Sequence, residues 1–288
     1  MPPRPYKKKA PLLSPTSAVY FVKQKVGKHY IPCVLKVVHY NSDETHAAVA
    51  LKAYGGHGAV KLFAHHTLQS KDFPLALLLE RAQPGTSLKG LSLEGKDEKA
   101  TEIFCMLLNK LHSTDPANVD LPNIEAWGGG FERHLKNPSK SSAKGIDVDL
   151  ISDAKNVFDK LVVSQGKLCV LHGDLHHDNI LLDKTRGWVA IDPKGFMGER
   201  AVDVVAYLKN PAEGDFSLGS VFEQRIAYIA STLGLDTKRI AAWTFAMTVL
   251  SCLWLCDIDD ALAPDIKERF KHWLSFALFL RRYIKEFV

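Results

Sequence analysis

The chain has 288 residues, of which 46% are hydrophobic and 24% charged, with a formal net charge of +5. This is the composition of a globular protein of one large or two modest domains, and it excludes wholesale disorder. No basic helix interleaved with aromatic residues is visible, so we expect no nucleic-acid binding. Five cysteines without a Cys-x-x-Cys pair and a basic N-terminus without an apolar signal-peptide core predict a reduced, cytoplasmic protein.

Residues 1–82 predict a small lobe made mostly of β-strands. Strands are predicted, in chain order, at 18–24, 31–38, 59–64 and 75–79. The first two flank Gly27 and predict an antiparallel hairpin, and residues 43–54 predict one helix that ends at Gly55. The break at Gln83-Pro84-Gly85 is the predicted boundary between two lobes.

Residues 83–288 predict a larger, mostly helical lobe. Periodic apolar residues predict helices, in chain order, at 97–112, 149–165, 222–233, 238–255 and 264–287. Residues 123–145, rich in Gly, Ser, Lys and Asn, predict a long flexible loop. The uncharged run 240–256 is short for a membrane span and contains hydroxyl groups, so it predicts a buried core helix rather than a membrane segment.

Three polar side chains in this larger lobe have the spacing of a kinase centre. Asp174 follows an apolar strand, Asn179 comes five residues later, and Asp192 ends a second short strand eighteen residues after Asp174. One carboxylate can orient an acceptor hydroxyl and take its proton, while an amide and a second carboxylate can hold Mg²⁺ on the phosphates of ATP. The alternative is an acid-rich turn between two strands.

The N-terminal lobe supplies candidates for nucleotide binding. Lys36 is the one cation in an apolar strand, where it either lies on an exposed face or points at phosphates. Ser17 belongs to the turn that would face those phosphates. The backbone carbonyl of Glu80 and the amide of Ala82 lie where a hinge would pair with adenine, although a simple edge strand explains the same segment.

Seven segments together resemble a known family. They lie at 34–36, 58–62, 77–85, 172–181, 188–195, 198–203 and 208–211. With them the chain resembles the aminoglycoside phosphotransferase superfamily, in the branch of the aminoglycoside/hydroxyurea antibiotic resistance kinases, whose best-known members are streptomycin 6-phosphotransferases. The resemblance covers nearly all of the chain after residue 12.

The resemblance implies an α+β, two-lobed protein-kinase-like fold, with a small antiparallel β lobe carrying one main helix and a larger helical lobe. It also implies an ATP- and Mg²⁺-dependent O-phosphotransferase with Asp174 as catalytic base, Asn179 and Asp192 on the metal, and Lys36 on the phosphates. The implied acceptor is a hydroxyl of a small cationic molecule, such as streptomycin or a related metabolite. The helix glutamate that pairs with the lysine in this family falls on Ala47, and Glu44, one turn earlier, is the expected substitute.

A cationic acceptor calls for carboxylates in the helical lobe. The expected acceptor site is a tryptophan followed by three acids, Trp254, Asp257, Asp259 and Asp260. The alternative is an acidic loop that caps the following helix. A rival function is a catalytically weak or inactive kinase fold that binds nucleotide, and the expected assembly is a monomer or a weak homodimer.

Overall fold

An antiparallel sheet of five strands forms the N-terminal part of the chain. The computed structural model describes residues 10–14, 16–39, 44–213, 219–257 and 264–284. The strands are β1 (Leu12–Leu13), β2 (Ser17–Val26), β3 (His29–Val38), β4 (Leu62–Thr67) and β5 (Leu75–Glu80). They lie in the order β1-β2-β3-β5-β4. The predicted hairpin of β2 and β3 is confirmed, and Gly27 in its turn has a φ of 59°, which glycine adopts without a steric penalty.

Two elements of this lobe begin later than the sequence predicts. Strand β4 starts at Leu62 because Ala59 and Val60 pair instead with Ala190 of the C-terminal part. Helix α1 (Ala47–Tyr54) starts four residues after the predicted position and ends at Gly55, whose φ is 56°. The residues 44–46 before it form turns.

Helix α1 connects the sheet to the larger part of the molecule. The hydroxyl of Tyr54 at its end is buried and donates a hydrogen bond of 3.2 Å to the carbonyl of Val170. Burial raises the pKa of this phenol well above its ordinary value, so it stays a donor. A single cluster of buried apolar side chains runs from Val38 to Ile284 through both parts. Because the two parts share this core, the domain boundary at 82/83 stays a prediction. Strand β5 ends at Glu80, close to that position.

Five short strands in the C-terminal part hold the segment that carries the predicted kinase centre. They are β6 (Pro84–Ser87), β7 (Leu168–Leu171), β8 (Ile180–Asp183), β9 (Gly187–Ala190) and β10 (Phe196–Glu199). Strand β8 lies between β6 and β9, and β7 pairs with β10, all antiparallel. Because β6 follows directly from β5, this sheet lies at the point where the chain leaves the N-terminal sheet.

The remainder of the described chain is mostly helical, which confirms the predicted fold class. Its helices are α2 (Lys89–Leu93), α3 (Asp97–His112), α4 (Gly129–Lys136), α5 (Ser139–Ala143), α6 (Val148–Val163), α7 (Val204–Leu208), α8 (Gly219–Leu233), α9 (Thr237–Asp257) and α10 (Pro264–Tyr283). Helix α3 has the predicted bounds. The other predicted helices of this part are confirmed with ends that differ by at most three residues, except that α10 ends at Tyr283, whereas the predicted end at 287 lies outside the described residues.

The prediction of a flexible loop at 123–145 is wrong. A 3₁₀ turn (Ile124–Gly128) and the helices α4 and α5 occupy this segment. Phe131 anchors it, because its ring is fully buried and packs 5.5 Å from the ring of Phe158. A Cβ atom on Gly130 would lie 2.5 Å from the side chain of Leu250, so glycine here permits close packing rather than flexibility.

Helix α9 is the buried core helix that the sequence predicts. It is long and apolar enough to cross a membrane by length and composition, yet 83% of its most apolar 18-residue window is buried inside the protein. The hydroxyls of Thr244 and Ser251 donate to the carbonyls of Ile240 and Met247, one turn earlier, at 2.7 and 2.8 Å. These polar groups are thus compatible with the core.

Candidate active site

The loop after β7 is held by one buried carboxylate. Asp203 accepts hydrogen bonds from the amides of His172 and Gly173 at 2.8 and 2.6 Å, and its Oδ2 lies 2.9 Å from His112 Nε2. Charge-assisted bonds of this kind are short and strong, and they fix the loop backbone just before Asp174. Sequence reasoning missed this role of Asp203, and its only signal was the place of the residue in the motif 198–203.

His172 connects this loop to the segment that carries Asp192. Its Nδ1 accepts the amide proton of Asp174 at 3.2 Å, so its Nε2 carries the proton donated to the carbonyl of Ile191 at 2.8 Å. Burial lowers the pKa of His172, which keeps the ring neutral in this tautomer. The neutral ring therefore fixes the distance between the loop that carries Asp174 and the segment that carries Asp192.

Asp174, the predicted base, is kept ionised by its neighbours. Burial alone would favour the protonated acid, but electrostatic interactions, above all with Lys194 and then with His176 and Lys209, outweigh it and hold the pKa of Asp174 well below its ordinary value. Lys194 Nζ lies 4.0 Å from Asp174 Oδ2. An ionised carboxylate can accept and orient the hydroxyl group of an acceptor.

Asn179 and Asp192 form an oxygen donor set suited to a divalent cation. Asn179 donates its Nδ2 to the carbonyl of Asp174 at 2.9 Å, which leaves its Oδ1 for coordination. Asp192 follows β9 with a φ of 57°, a left-handed conformation that is uncommon outside glycine and typical of functional sites. One carboxylate and one amide oxygen fit a cation that takes its remaining ligands from phosphates and water.

Lys36 connects this centre to the N-terminal sheet. The side chain is only 3% exposed, and its Nζ lies 2.8 Å from Asp192 Oδ1 and 2.5 Å from Glu44 Oε2. Burial disfavours the ammonium, but the carboxylates of Asp192 and Glu44 outweigh it and raise the pKa of Lys36. Glu44 thus makes the ion pair expected of it in place of Ala47. It does so from the turn before α1, not from the helix.

Ser17 lies at the start of β2, close to Lys36 in the sheet. It pairs with Val38 in the register that also pairs Val19 with Lys36. Its amide donates to Ser14 Oγ at 3.0 Å, and the two hydroxyls lie 3.1 Å apart. This tight hydroxyl-rich turn is the structural counterpart of the predicted phosphate-facing turn.

The two predicted hinge residues, Glu80 and Ala82, differ in their hydrogen bonds. The carboxylate of Glu80 accepts the amide of Lys61 at 3.0 Å and pairs with Arg186 in the turn between β8 and β9. Its side chain therefore joins the two sheets. The amide of Ala82 donates to no residue in the described part of the chain, which is consistent with a backbone donor reserved for a base.

The expected acceptor residues are only partly brought to the centre. Trp254 packs edge-on against Trp127, with ring centroids 5.4 Å apart, and Lys194 Nζ lies 5.4 Å from the Trp254 ring. Asp257 lies 3.3 Å from Arg133 and 3.3 Å from His134. Asp259 and Asp260 lie outside the described residues.

A cavity of about 130 Å³ borders Asp174 directly, and the sequence gives no indication of it. Its walls come from the loop after β7, from α2 and α10, and from the segment after α7. Its lining residues are Lys89, Asp174, His176, His177, Asp178, Lys209, Asn210, Pro211, Ala212, Glu213, Arg269 and Trp273. The cavity can therefore admit part of a small molecule to the base.

The sequence of the chain is similar to those of known proteins. The sequence profile of the aminoglycoside/hydroxyurea antibiotic resistance kinases matches residues 7–259. The chain is 30% identical to the streptomycin 3''-kinase of Klebsiella pneumoniae over 229 residues, which cover 78% of this chain and 80% of that protein. It is also 30% identical to the streptomycin 6-kinase of Streptomyces griseus over 237 residues, covering 80% and 73%.

A solved structure shares the fold. Amicoumacin kinase in complex with AMP-PNP, Ca²⁺ and Ami superposes with a TM-score of 0.63 at 15% identity, covering 98% of this chain and 89% of that one.

Proposed function

We propose a function on the premise that this chain belongs to the aminoglycoside/hydroxyurea antibiotic resistance kinase family and is therefore a phosphotransferase with a hydroxyl acceptor. The proposed reaction transfers the γ-phosphoryl group of ATP to a small polyhydroxylated antibiotic. Streptomycin, the substrate in the names of its relatives, is the first acceptor to test. The proposed metal is Mg²⁺.

Each of the four central residues has a distinct part in this chemistry. Asp174, ionised, orients the acceptor hydroxyl and takes its proton as the oxygen attacks in line. Asn179 Oδ1 and the carboxylate of Asp192 would hold the cation, which would neutralise charge on the phosphate oxygens. Lys36 lies beside Asp192 and can contact the same phosphates.

One observation carries the proposal, namely that polar contacts hold the four residues as two pairs, which the Ile191 amide links by donating to the Asn179 carbonyl at 2.9 Å. Asn179 binds the backbone of Asp174, and Asp192 contacts Lys36, which contacts Glu44. An acid-rich turn would not require a buried lysine from another sheet. The rival function, a catalytically weak or inactive nucleotide-binding module, rests in part on the missing glutamate at Ala47, and the Lys36–Glu44 ion pair weakens that part.

The nucleotide is proposed to lie between the N-terminal sheet and Asp192. The base would pair with the Glu80 carbonyl and the Ala82 amide, and the phosphates would meet the turn at Ser17. The acceptor would enter from the cavity bordering Asp174. Trp254, Asp257, Asp259 and Asp260 remain the predicted contacts for its cationic groups.

The expected surroundings are a reduced cytoplasm and a monomer or weak homodimer. All five cysteines of the chain are free and buried, and burial raises the pKa of the Cys256 thiol to about 11 and of the Cys105 thiol to about 12. Such thiols are unreactive in a reducing compartment. Size-exclusion chromatography with light scattering would test the assembly.

The decisive experiment is an ATP-consumption assay with streptomycin as the acceptor and with Asp174→Asn as the test variant. We expect acceptor-dependent turnover in the wild type and a loss of at least about 100-fold in the variant, because the positioned base is removed. Asp159→Asn, an exposed residue of α6, is the matched control. ATP binding without turnover on any hydroxyl acceptor would refute the proposal and favour the inactive module.

A further inference from the structure

Lys209, at the end of α7, is a buried cation on the wall of the cavity that borders Asp174. The residue is 8% exposed. Its Nζ lies 2.5 Å from the hydroxyl of Ser251 and 4.3 Å from the ring centroid of Trp273. Within the described ranges, no carboxylate forms an ion pair with this ammonium. Its surroundings are therefore a hydroxyl and an aromatic face.

The backbone around Lys209 keeps this charge in place. Its amide donates to the carbonyl of Val205 at 3.2 Å, and its carbonyl accepts Trp273 Nε1 at 3.2 Å. The next residue is also held, since the carbonyl of Asn210 accepts a bond from buried Arg225 at 2.7 Å. A buried ammonium without a direct ion pair destabilises a folded protein, and the carboxylate of Asp174 offsets this cost only in part and from a greater distance. Such an arrangement is expected where the charge serves a ligand.

The other charged groups of the cavity largely cancel one another. Lys89 Nζ lies 2.5 Å from Glu213 and 3.6 Å from Asp178, so these two acids already have a cationic partner. Arg269 adds a second positive charge near Lys209, on the same tryptophan ring, at 5.9 Å. A cationic group of an acceptor would thus be repelled at this wall, whereas oxygen atoms would find hydrogen-bond donors.

We propose that Lys209 is an acceptor-binding residue whose ammonium donates a hydrogen bond to an oxygen neighbouring the hydroxyl that Asp174 receives. This selects ring polyols, such as sugars and cyclitols, and directs their cationic substituents away from the wall formed by Lys209 and Arg269. The assignment rests on the proposed function. It also gives a role to the motif 208–211, which carries the family resemblance without an assigned function.

The test replaces Lys209 by methionine, which is similar in length and uncharged. With streptomycin as the acceptor, Lys209→Met should raise the acceptor KM about 10- to 100-fold, the range for a lost hydrogen bond to a charged group, and leave the KM for ATP within about twofold. Because the substitution also removes a buried charge that no direct ion pair stabilises, the Tm should stay equal or rise. Lys271→Met, an exposed residue of α10, is the control.

The outcomes separate this assignment from the function on which it rests. An unchanged acceptor KM in Lys209→Met would overturn the assignment while the wild type continues to turn over streptomycin. A lower Tm with parallel losses for ATP and acceptor would overturn it as well, since that pattern marks a purely structural lysine. Absence of wild-type turnover with streptomycin and with neutral cyclitols would overturn the proposed function itself, and the assignment with it.

Discussion

Substitution of Asp203 by asparagine tests whether one buried carboxylate holds the catalytic loop. In the wild type its Oδ1 accepts the Gly173 amide, and its Oδ2 accepts the His172 amide and contacts His112. Asparagine keeps one of these oxygens and places an NH₂ group against N–H donors. The side chain is 1% exposed, so no water can replace the lost bonds.

The size of the effect follows from these three contacts. Hydrogen bonds to a charged group contribute about 1.5–3 kcal/mol each, and bonds to a neutral group about 1 kcal/mol. With at least one bond lost and the others weakened, Asp203→Asn should lower the free energy of unfolding by about 3 kcal/mol. Because Asp174 directly follows the anchored amides, a shift of the loop should also lower kcat by about 10- to 100-fold.

The assay combines urea unfolding with steady-state phosphotransfer. Asp159→Asn is the matched control, since among the residues that the structure describes Asp159 forms only an exposed pair with Lys155, and exposed pairs contribute about 1 kcal/mol or less. If the free energy of unfolding of Asp203→Asn lies within about 0.5 kcal/mol of the wild-type value and its kcat is unchanged, Asp203 does not anchor the loop.

Three further predictions use other contacts. Glu44→Gln, which leaves Lys36 a weaker partner, should raise the KM for ATP about 3- to 10-fold in steady-state assays, and an unchanged KM would show that the pair is dispensable. Burial lowers the pKa of Lys209 from 10.5 to about 8, so the unfolded chain holds this proton more tightly than the folded one. The resulting cost to the free energy of unfolding is complete below pH 8 and vanishes as the pH rises to about 10.5. The stability gained by Lys209→Met should therefore be up to about 3 kcal/mol at pH 7 and should shrink across that window in chemical denaturation. A gain that does not depend on pH would contradict the burial of the ammonium. Gly195→Ala would place a Cβ 2.8 Å from the carbonyl oxygen of the N-cap residue of α1. In matched thermal melts it should cost about 2 kcal/mol more stability than Gly145→Ala, a position that also has a positive φ but has open space around it. Equal costs would show that the contact relaxes.

The sequence predicts the helices and strands well where one pattern dominates. The bounds of α3 were predicted to the residue, because its apolar positions repeat at helical spacing and Pro116 follows closely. Glycine and serine in the segment 123–145 predict flexibility, and this prediction is wrong. In the folded chain Gly128 and Gly130 allow close contact with Phe158 and Leu250, a property that depends on partners distant in sequence.

The candidate site divides in the same way. The spacing of Asp174, Asn179 and Asp192 indicates a kinase centre, but it does not show how they meet, since Asp174 follows β7 and Asp192 follows β9, which lie in different sheets. The partner of Lys36 could be anticipated at Glu44 from helical spacing, although Glu44 in fact acts from a turn. Its roles in nucleotide binding, like those of Ser17, Glu80 and Ala82, stay predictions.

By itself, the sequence determined the class of chemistry, because the identity and spacing of a few polar residues next to apolar strands limit which charges can meet. The tertiary structure alone decided which contacts support that chemistry and which side chains line the cavity beside Asp174. Asp203 contacts the loop across 30 residues of chain, and Lys209 meets Ser251 across 42. Such contacts arise from the packing of whole helices, and no local pattern encodes which buried charges those helices bring to one cavity.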